Sequence, residues 1–81
     1  MARVSGKQDA GRVLEPLGVV IRANRRKLGL SQEALADAAG IDRSHMGKIE
    51  RGERNVTLLN LGRIADALRT KASVLLSDAG F

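Results

Sequence analysis

Apolar residues recur at helical spacing along most of this chain, and glycines and short polar stretches separate the repeats. The first such segment opens with Pro16, a residue favoured at the first position of a helix, and it stops before Gly29. This pattern predicts a first helix over residues 16–28. Residues 1–13 have no sustained period, so we expect a flexible N-terminal segment before one folded domain over residues 14–81. The residues expected on the buried side of the first helix are Leu17, Val20, Ile21 and Leu28.

Capping residues define the next two helices. Ser31 is a good N-cap for a second helix over residues 32–39, and Gly40 follows where a left-handed turn favours glycine. Asp42 caps a third helix over residues 43–51 in the same way. Two short helices joined by a tight turn are typical of the unit that presents a recognition helix to the major groove of DNA.

Two more helices complete the predicted domain, which we expect to be an all-α, compact bundle of five helices. Gly52 ends the third helix, and after a polar loop Thr57 caps a fourth helix that ends near Leu68 or Arg69. A short last helix is predicted over residues 72–77. The buried side of the fourth helix is expected to carry Leu58, Leu61, Ile64, Ala65 and Leu68.

The composition narrows the possible functions. The formal net charge of +5 favours a polyanionic partner, and nucleic acid is the first such partner to consider. Phe81 is the only aromatic residue among 81, which argues against RNA and single strands, because their bases usually stack on aromatic rings. With no cysteine and one histidine, we expect no metal, no cofactor and no catalysis. No apolar run approaches the roughly 18 residues of a membrane span, so a cytoplasmic protein is expected.

The two central helices divide into a core face and an outer face. The outer face of the third helix carries Arg43, Ser44, His45 and Lys48. We expect His45 to face solvent or phosphate, because no other metal ligand or catalytic group accompanies it in the motif. The residues expected to fill the space between the two helices and the rest of the bundle are Leu35, Ala36, Ala39, Ile41, Met46 and Ile49.

Several motifs in order resemble the Cro-like helix-turn-helix family, which includes phage repressors and the controller proteins of restriction–modification systems. They are Leu17-Gly-x-x-Ile-Arg-x-x-Arg-x-x-x-Gly-Leu-Ser-Gln-Glu-x-Leu-Ala, Ala39-Gly-Ile, Ile49-Glu-Arg-Gly and Ile64-Ala-x-Ala-Leu68. The resemblance covers residues 17 to about 77 and implies a transcriptional regulator of double-stranded DNA. It also implies that Arg25 and Glu50 form a partly buried ion pair, with direct phosphate contact by Arg25 as the alternative.

The resemblance carries DNA-contact roles onto matching positions. Arg43, Ser44 and Lys48 match the positions that face base edges, where arginine or lysine reads guanine most naturally. Gly47 lowers the helix propensity of this segment, and either close approach to DNA or avoidance of a clash explains it equally well. The residues that match backbone-phosphate positions are Gln32, Arg51, Arg54 and Asn55.

One recognition helix offers few base contacts, so we expect a homodimer that binds two half-sites of a (pseudo)palindromic operator. An antitoxin that binds a toxin protein and its own operator is the alternative. Residues 1–13 are the only candidate partner-binding extension; they also suit a basic arm through Arg3, Lys7 and Arg12. The apolar residues assigned to the dimer interface are Leu59, Val74, Leu75, Leu76 and Phe81, with Val74 and Leu76 closing the core as the other interpretation.

Overall fold

A computed structural model describes residues 6–81, and every regular element within that range is a helix. A short 3-10 helix precedes five α-helices, so the prediction of an all-α, five-helix bundle is confirmed. The described part measures 35 × 25 × 19 Å along its principal axes. The 3-10 helix spans Gly6–Asp9, and the five helices are α1 (Leu14–Lys27), α2 (Gln32–Ala39), α3 (Arg43–Glu50), α4 (Leu58–Ala67) and α5 (Ala72–Asp78).

Helix α1 begins at Leu14, earlier than the position of Pro16 predicts, because Asp9 caps it from a distance. The Asp9 carboxylate accepts the backbone N–H groups of Val13 and Leu14, both at 2.9 Å. These bonds hold the pKa of Asp9 below its ordinary value of 3.8. The basic N-terminal arm stays a prediction, since Arg3 and the Lys7 side chain lie outside the described residues.

The predicted caps of the later helices are confirmed. Side-chain oxygens of Ser31, Asp42 and Thr57 each accept a first-turn backbone N–H, at distances of 3.0, 3.2 and 3.1 Å respectively. Gly40 adopts the left-handed conformation, with a φ of 68°, that lets the chain turn sharply between α2 and α3. The predicted bounds of α2 match the structure, and the predicted C-terminal ends of the other helices differ from it by one or two residues.

Helix α2 packs against α3 and α4, while α1 packs against α3 and α5. Two predicted core residues are wrong: Leu28 is 40% exposed and Leu58 is 78% exposed. Leu28 is the C-cap of α1 and Leu58 is the first residue of α4, so both lie at helix ends outside the packed interfaces. The buried core cluster consists of Leu17, Ile21, Leu35, Ala36, Ala39, Ile41, Met46, Ile49, Leu61, Ile64, Ala65, Leu68 and Leu75.

A glycine sets the close approach of α1 to α3. Gly18 is buried, and a Cβ atom placed on it would overlap the carbonyl oxygen of Glu50 and lie 2.8 Å from that of Ile49. Because both neighbours are backbone atoms, they cannot rotate away as a side chain does. Helix α3 is therefore positioned partly by direct contact between its backbone and α1.

Candidate nucleic-acid interface

The outer face of α3 lines a shallow depression of about 510 Å³. Five of the predicted DNA-contact residues meet there, two from outside α3 and three from the helix itself. Gln32 enters from the start of α2 and Arg51 from the end of α3, and the two other predicted contacts, Arg54 and Asn55, lie in the following loop. The residues that line the depression are Gln32, Asp42, Arg43, Ser44, Gly47, Lys48 and Arg51.

Arg43 projects into solvent from the first turn of α3, with 67% of its side chain exposed. Its Nη2 atom donates to Oε1 of Glu33 at 2.9 Å, across the gap between α2 and α3. Sequence spacing does not reveal this contact, because ten positions separate the two residues and only the fold brings them together. Arg43 therefore has a carboxylate partner at the face where it is expected to read a base.

The hydroxyl group of Ser44 is engaged in a hydrogen bond at the start of α3. Its hydroxyl donates a short hydrogen bond to Oδ2 of Asp42, the N-cap residue. The same carboxylate accepts the backbone N–H groups of Ser44 and His45, and the serine hydroxyl is the main reason that the pKa of Asp42 lies below its ordinary value. Because the hydroxyl proton is engaged, the Ser44 oxygen remains available chiefly as an acceptor.

Arg51 also has a carboxylate partner. Its Nε atom donates to Oε2 of Glu53 at 2.9 Å, and a second bond joins Nη2 to Oε1 at 3.3 Å. These hydrogen bonds raise the pKa of Arg51 and lower that of Glu53. The loop residues Arg54 and Asn55 are exposed beyond the depression.

A buried ion pair supports the depression from below. Arg25 and Glu50 make two hydrogen bonds, Nε to Oε2 at 2.7 Å and Nη2 to Oε1 at 3.0 Å, and only 2% of the Glu50 side chain is exposed. The remaining Nη1 of Arg25 donates to the carbonyl of Leu30 at 3.0 Å, and the Glu50 contacts raise the pKa of Arg25. The predicted ion pair is therefore present, and its burial favours the structural role over a phosphate contact.

Glu50 links this ion pair to the depression. Nε2 of Gln32 donates to Oε1 of Glu50 at 3.2 Å, so the residue expected to touch phosphate is oriented by the buried carboxylate. Gly47 leaves room for the same side chain: a Cβ atom there would lie 3.2 Å from Oε1 of Gln32 and 3.2 Å from Nη1 of Arg51. A methyl group at position 47 would therefore press on the ends of both side chains, which is consistent with avoidance of a clash.

His45 does not occupy the position that the sequence suggested. The residue is half-buried, and its Nε2 atom is inaccessible to solvent, with no hydrogen-bond partner among the described residues. The expectation of a solvent- or phosphate-facing ring is wrong for this atom, because His45 lies on the flank of α3 rather than on its exposed face. No group of histidine, aspartate or glutamate side chains suited to a metal ion occurs within the described range.

The residues assigned to the dimer interface differ in their exposure. Leu59, Val74 and Phe81 are exposed by 78%, 43% and 57% respectively, and Leu76 is half-buried against the core. Leu75 corrects the prediction, because it has no exposed surface and belongs to the core. One turn of α5 thus closes the bundle with Leu75 and presents Val74 outward. None of the helices in residues 6–81 is long and apolar enough to cross a membrane.

The comparisons with known proteins agree with this geometry. The sequence profile of the family described as Helix-turn-helix matches residues 21–75. Control protein C.SmaI of Serratia marcescens is 43% identical over 68 residues, which cover 84% of this chain and 81% of that protein. The crystal structure of the restriction-modification controller protein C.AhdI from Aeromonas hydrophila has a TM-score of 0.75 and 44% identity, covering 82% of this chain and 97% of its own. The clp gene regulator ClgR from Corynebacterium glutamicum has a TM-score of 0.80 at 27% identity, covering 83% of this chain and 71% of its own.

Proposed function

This chain belongs to the helix-turn-helix family of DNA-binding transcription regulators, and we propose that it is a controller-type, autoregulatory protein that binds a specific operator as a homodimer. The observation that carries this proposal is the exposed face of α3, where Arg43, Ser44 and Lys48 line one depression. An α-helix fits the major groove, which is about 12 Å wide. We place its action in the cytoplasm, with the DNA, and assign it no catalytic step.

The base-reading roles follow from the donors on the exposed face of α3. Arg43 is long and projects into solvent, and arginine donates two hydrogen bonds to O6 and N7 of guanine. Lys48 lies further along the same face and donates to the same kind of edge. Ser44, whose proton is bound to Asp42, suits a base-edge donor such as the amino group of adenine or cytosine.

The backbone-contact roles fall on two residues that line the depression and on two in the loop that follows α3. Gln32 and Arg51 line the depression, and Arg54 and Asn55 are exposed in the loop. Cations and amides in such positions bind phosphates and fix the register of the helix without reading sequence. We assign these four residues to the DNA backbone.

A homodimer supplies the affinity that one short helix lacks. Two copies with two-fold symmetry bind half-sites about 34 Å apart, one turn of the duplex. We assign to this interface the exposed apolar residues Leu59, Val74 and Phe81 and the half-buried Leu76. None of the three relatives named above is described as an antitoxin, and no structural feature of residues 6–81 favours a toxin partner.

Selection of bound sequences from a pool of random duplexes tests the proposal. We expect enrichment of one (pseudo)palindromic sequence, and Arg43→Ala should weaken binding to it by about 1–3 kcal/mol while random duplexes bind as before. As a control, Arg54→Ala should weaken both kinds of duplex similarly. If no sequence is enriched, specific DNA binding is excluded, and a single half-site without symmetry would exclude the dimer.

A further inference from the structure

Two carboxylates accompany the arginines of the depression. Glu33 pairs with Arg43, the proposed base reader, and Glu53 pairs with Arg51, a proposed phosphate contact. The main ion-pair distance is 2.9 Å in both cases, and all four side chains are more than half exposed. A negative charge beside a DNA-binding arginine opposes the phosphate attraction that drives binding. Such pairs therefore require an explanation other than affinity.

The Glu33 contact leaves most of the Arg43 guanidinium available. The bond joins Nη2 to a single carboxylate oxygen, and a guanidinium carries five N–H donors. Two of these donors suffice for O6 and N7 of guanine. Arg43 can thus bind a guanine edge while it keeps its bond to Glu33, and the carboxylate then fixes the direction of a long, otherwise flexible side chain.

A phosphate contact by Arg43 is a different case. The phosphate oxygens compete with the Glu33 carboxylate for the same guanidinium, and the two anions repel each other at close range. Binding to a phosphate therefore requires Arg43 to leave Glu33. The carboxylate penalises the phosphate-bound arginine more than the guanine-bound arginine.

We propose that Glu33 is a positioning residue that determines the specificity of DNA binding through Arg43. It holds the guanidinium ready for a base edge and weakens the non-specific complex, in which phosphate contacts dominate. This inference rests on the proposed DNA-binding function. Glu53 has no such role, because Arg51 is assigned to phosphate in both specific and non-specific complexes.

The experiment compares the wild-type protein with Glu33→Gln, Glu53→Gln and Asp37→Asn. Each substitution removes one negative charge, and Asp37 is an exposed carboxylate of α2 that does not line the depression. The affinity of each variant is measured on the selected operator and on a scrambled duplex at several salt concentrations. Thermal unfolding of each variant confirms that the fold is retained.

Glu33→Gln should bind the scrambled duplex about two- to fivefold more tightly, since this is the usual strength of an exposed ion pair. Its salt dependence on that duplex should steepen by about 0.9 per protomer, which corresponds to one more phosphate contact. Operator affinity should stay level or fall, so the specificity ratio decreases. Glu53→Gln should increase the affinity for both duplexes by a similar factor. Asp37→Asn should change the specificity ratio least of the three variants.

The substitution Arg43→Ala shows whether Glu33 acts through Arg43 or only through its negative charge. In the Arg43→Ala background, Glu33→Gln should no longer change the specificity ratio, because the arginine through which it acts is gone. If Glu33→Gln increased the affinity for both duplexes equally, as expected for Glu53→Gln, the inference would be overturned while the proposed function would stand. A wild-type protein that does not discriminate between the duplexes would instead overturn the proposed function, and this inference with it.

Discussion

The buried ion pair between Arg25 and Glu50 gives the sharpest stability prediction, through the substitution Glu50→Gln. The carboxylate accepts bonds at 2.7 and 3.0 Å from Arg25 and at 3.2 Å from Gln32, with 2% of its side chain exposed. A neutral amide keeps the shape but turns one acceptor into a donor that faces the guanidinium. The Arg25 charge is then left inside the protein without its counter-charge.

The expected loss is about 3 kcal/mol, the lower end of the range for breaking a buried pair, because 11% of the Arg25 side chain still reaches solvent. A domain of this length has a free energy of unfolding of about 4–12 kcal/mol, so the loss is a large fraction of the total. The apolar double variant Arg25→Met with Glu50→Leu should lose much less than the two single variants together, since no uncompensated charge remains.

Urea unfolding followed by circular dichroism measures these free energies, and the wild type, Arg25→Met, Glu50→Leu and the double variant form a double-mutant cycle. Gln32→Ala serves as the control for the third hydrogen bond of Glu50. The reasoning is refuted if Glu50→Gln costs less than about 1 kcal/mol, as expected for an exposed pair. Strict additivity of the two single losses would refute it equally, because coupling is the signature of a desolvated pair.

Three further predictions concern glycines and acid. Gly18→Ala should destabilise the protein by about 3 kcal/mol, at the upper end for overpacking, because backbone atoms lie where the new Cβ would be. The control is Gly62→Ala, whose Cβ meets nothing within 4 Å and which should stabilise α4 by up to about 1 kcal/mol. Thermal unfolding measures both changes. Gly47→Ala should stabilise α3 yet weaken DNA binding in fluorescence anisotropy, since it displaces Gln32 and Arg51; undiminished affinity would contradict this. The pKa of Asp42 is lowered in the folded state, so the stabilisation that its carboxylate provides is present above the ordinary pKa of 3.8 and is lost as the pH falls below that value. The substitution Asp42→Asn should therefore flatten the fall in melting temperature that the wild type shows in acid. An unchanged pH profile of the melting temperature would contradict the capping role.

Local chemistry made most of the fold predictable. Ser31, Asp42 and Thr57 act within three residues of themselves, and Gly40 acts on its own backbone, so their effects are readable without neighbours. The start of α1 was not readable in this way, because Asp9 reaches it from the preceding 3-10 helix. Asp9 lies four and five positions before the residues whose N–H groups it accepts, which is farther than an N-cap side chain ordinarily reaches along the sequence.

Tertiary placement explains the remaining differences. Helical spacing puts Leu58 on an apolar stripe, but it does not show that the buried part of α4 begins only at Leu61. Leu75 and Val74 are both apolar, and only the rotation of α5 decides which one is buried. The pairing of Arg43 with Glu33 depends on how α2 and α3 cross, so the spacing of residues along the chain does not predict an acidic residue beside Arg43.

The close contact at Gly18 means that the residues that pack α3 against the domain differ from the residues on its exposed face. The helix rests on α1 through backbone atoms of Ile49 and Glu50, while Arg43 and Lys48 point the other way. Residues on the exposed side can therefore be exchanged without repacking the interior. If that side reads DNA as proposed, divergence among related sequences should concentrate there while Gly18 stays fixed.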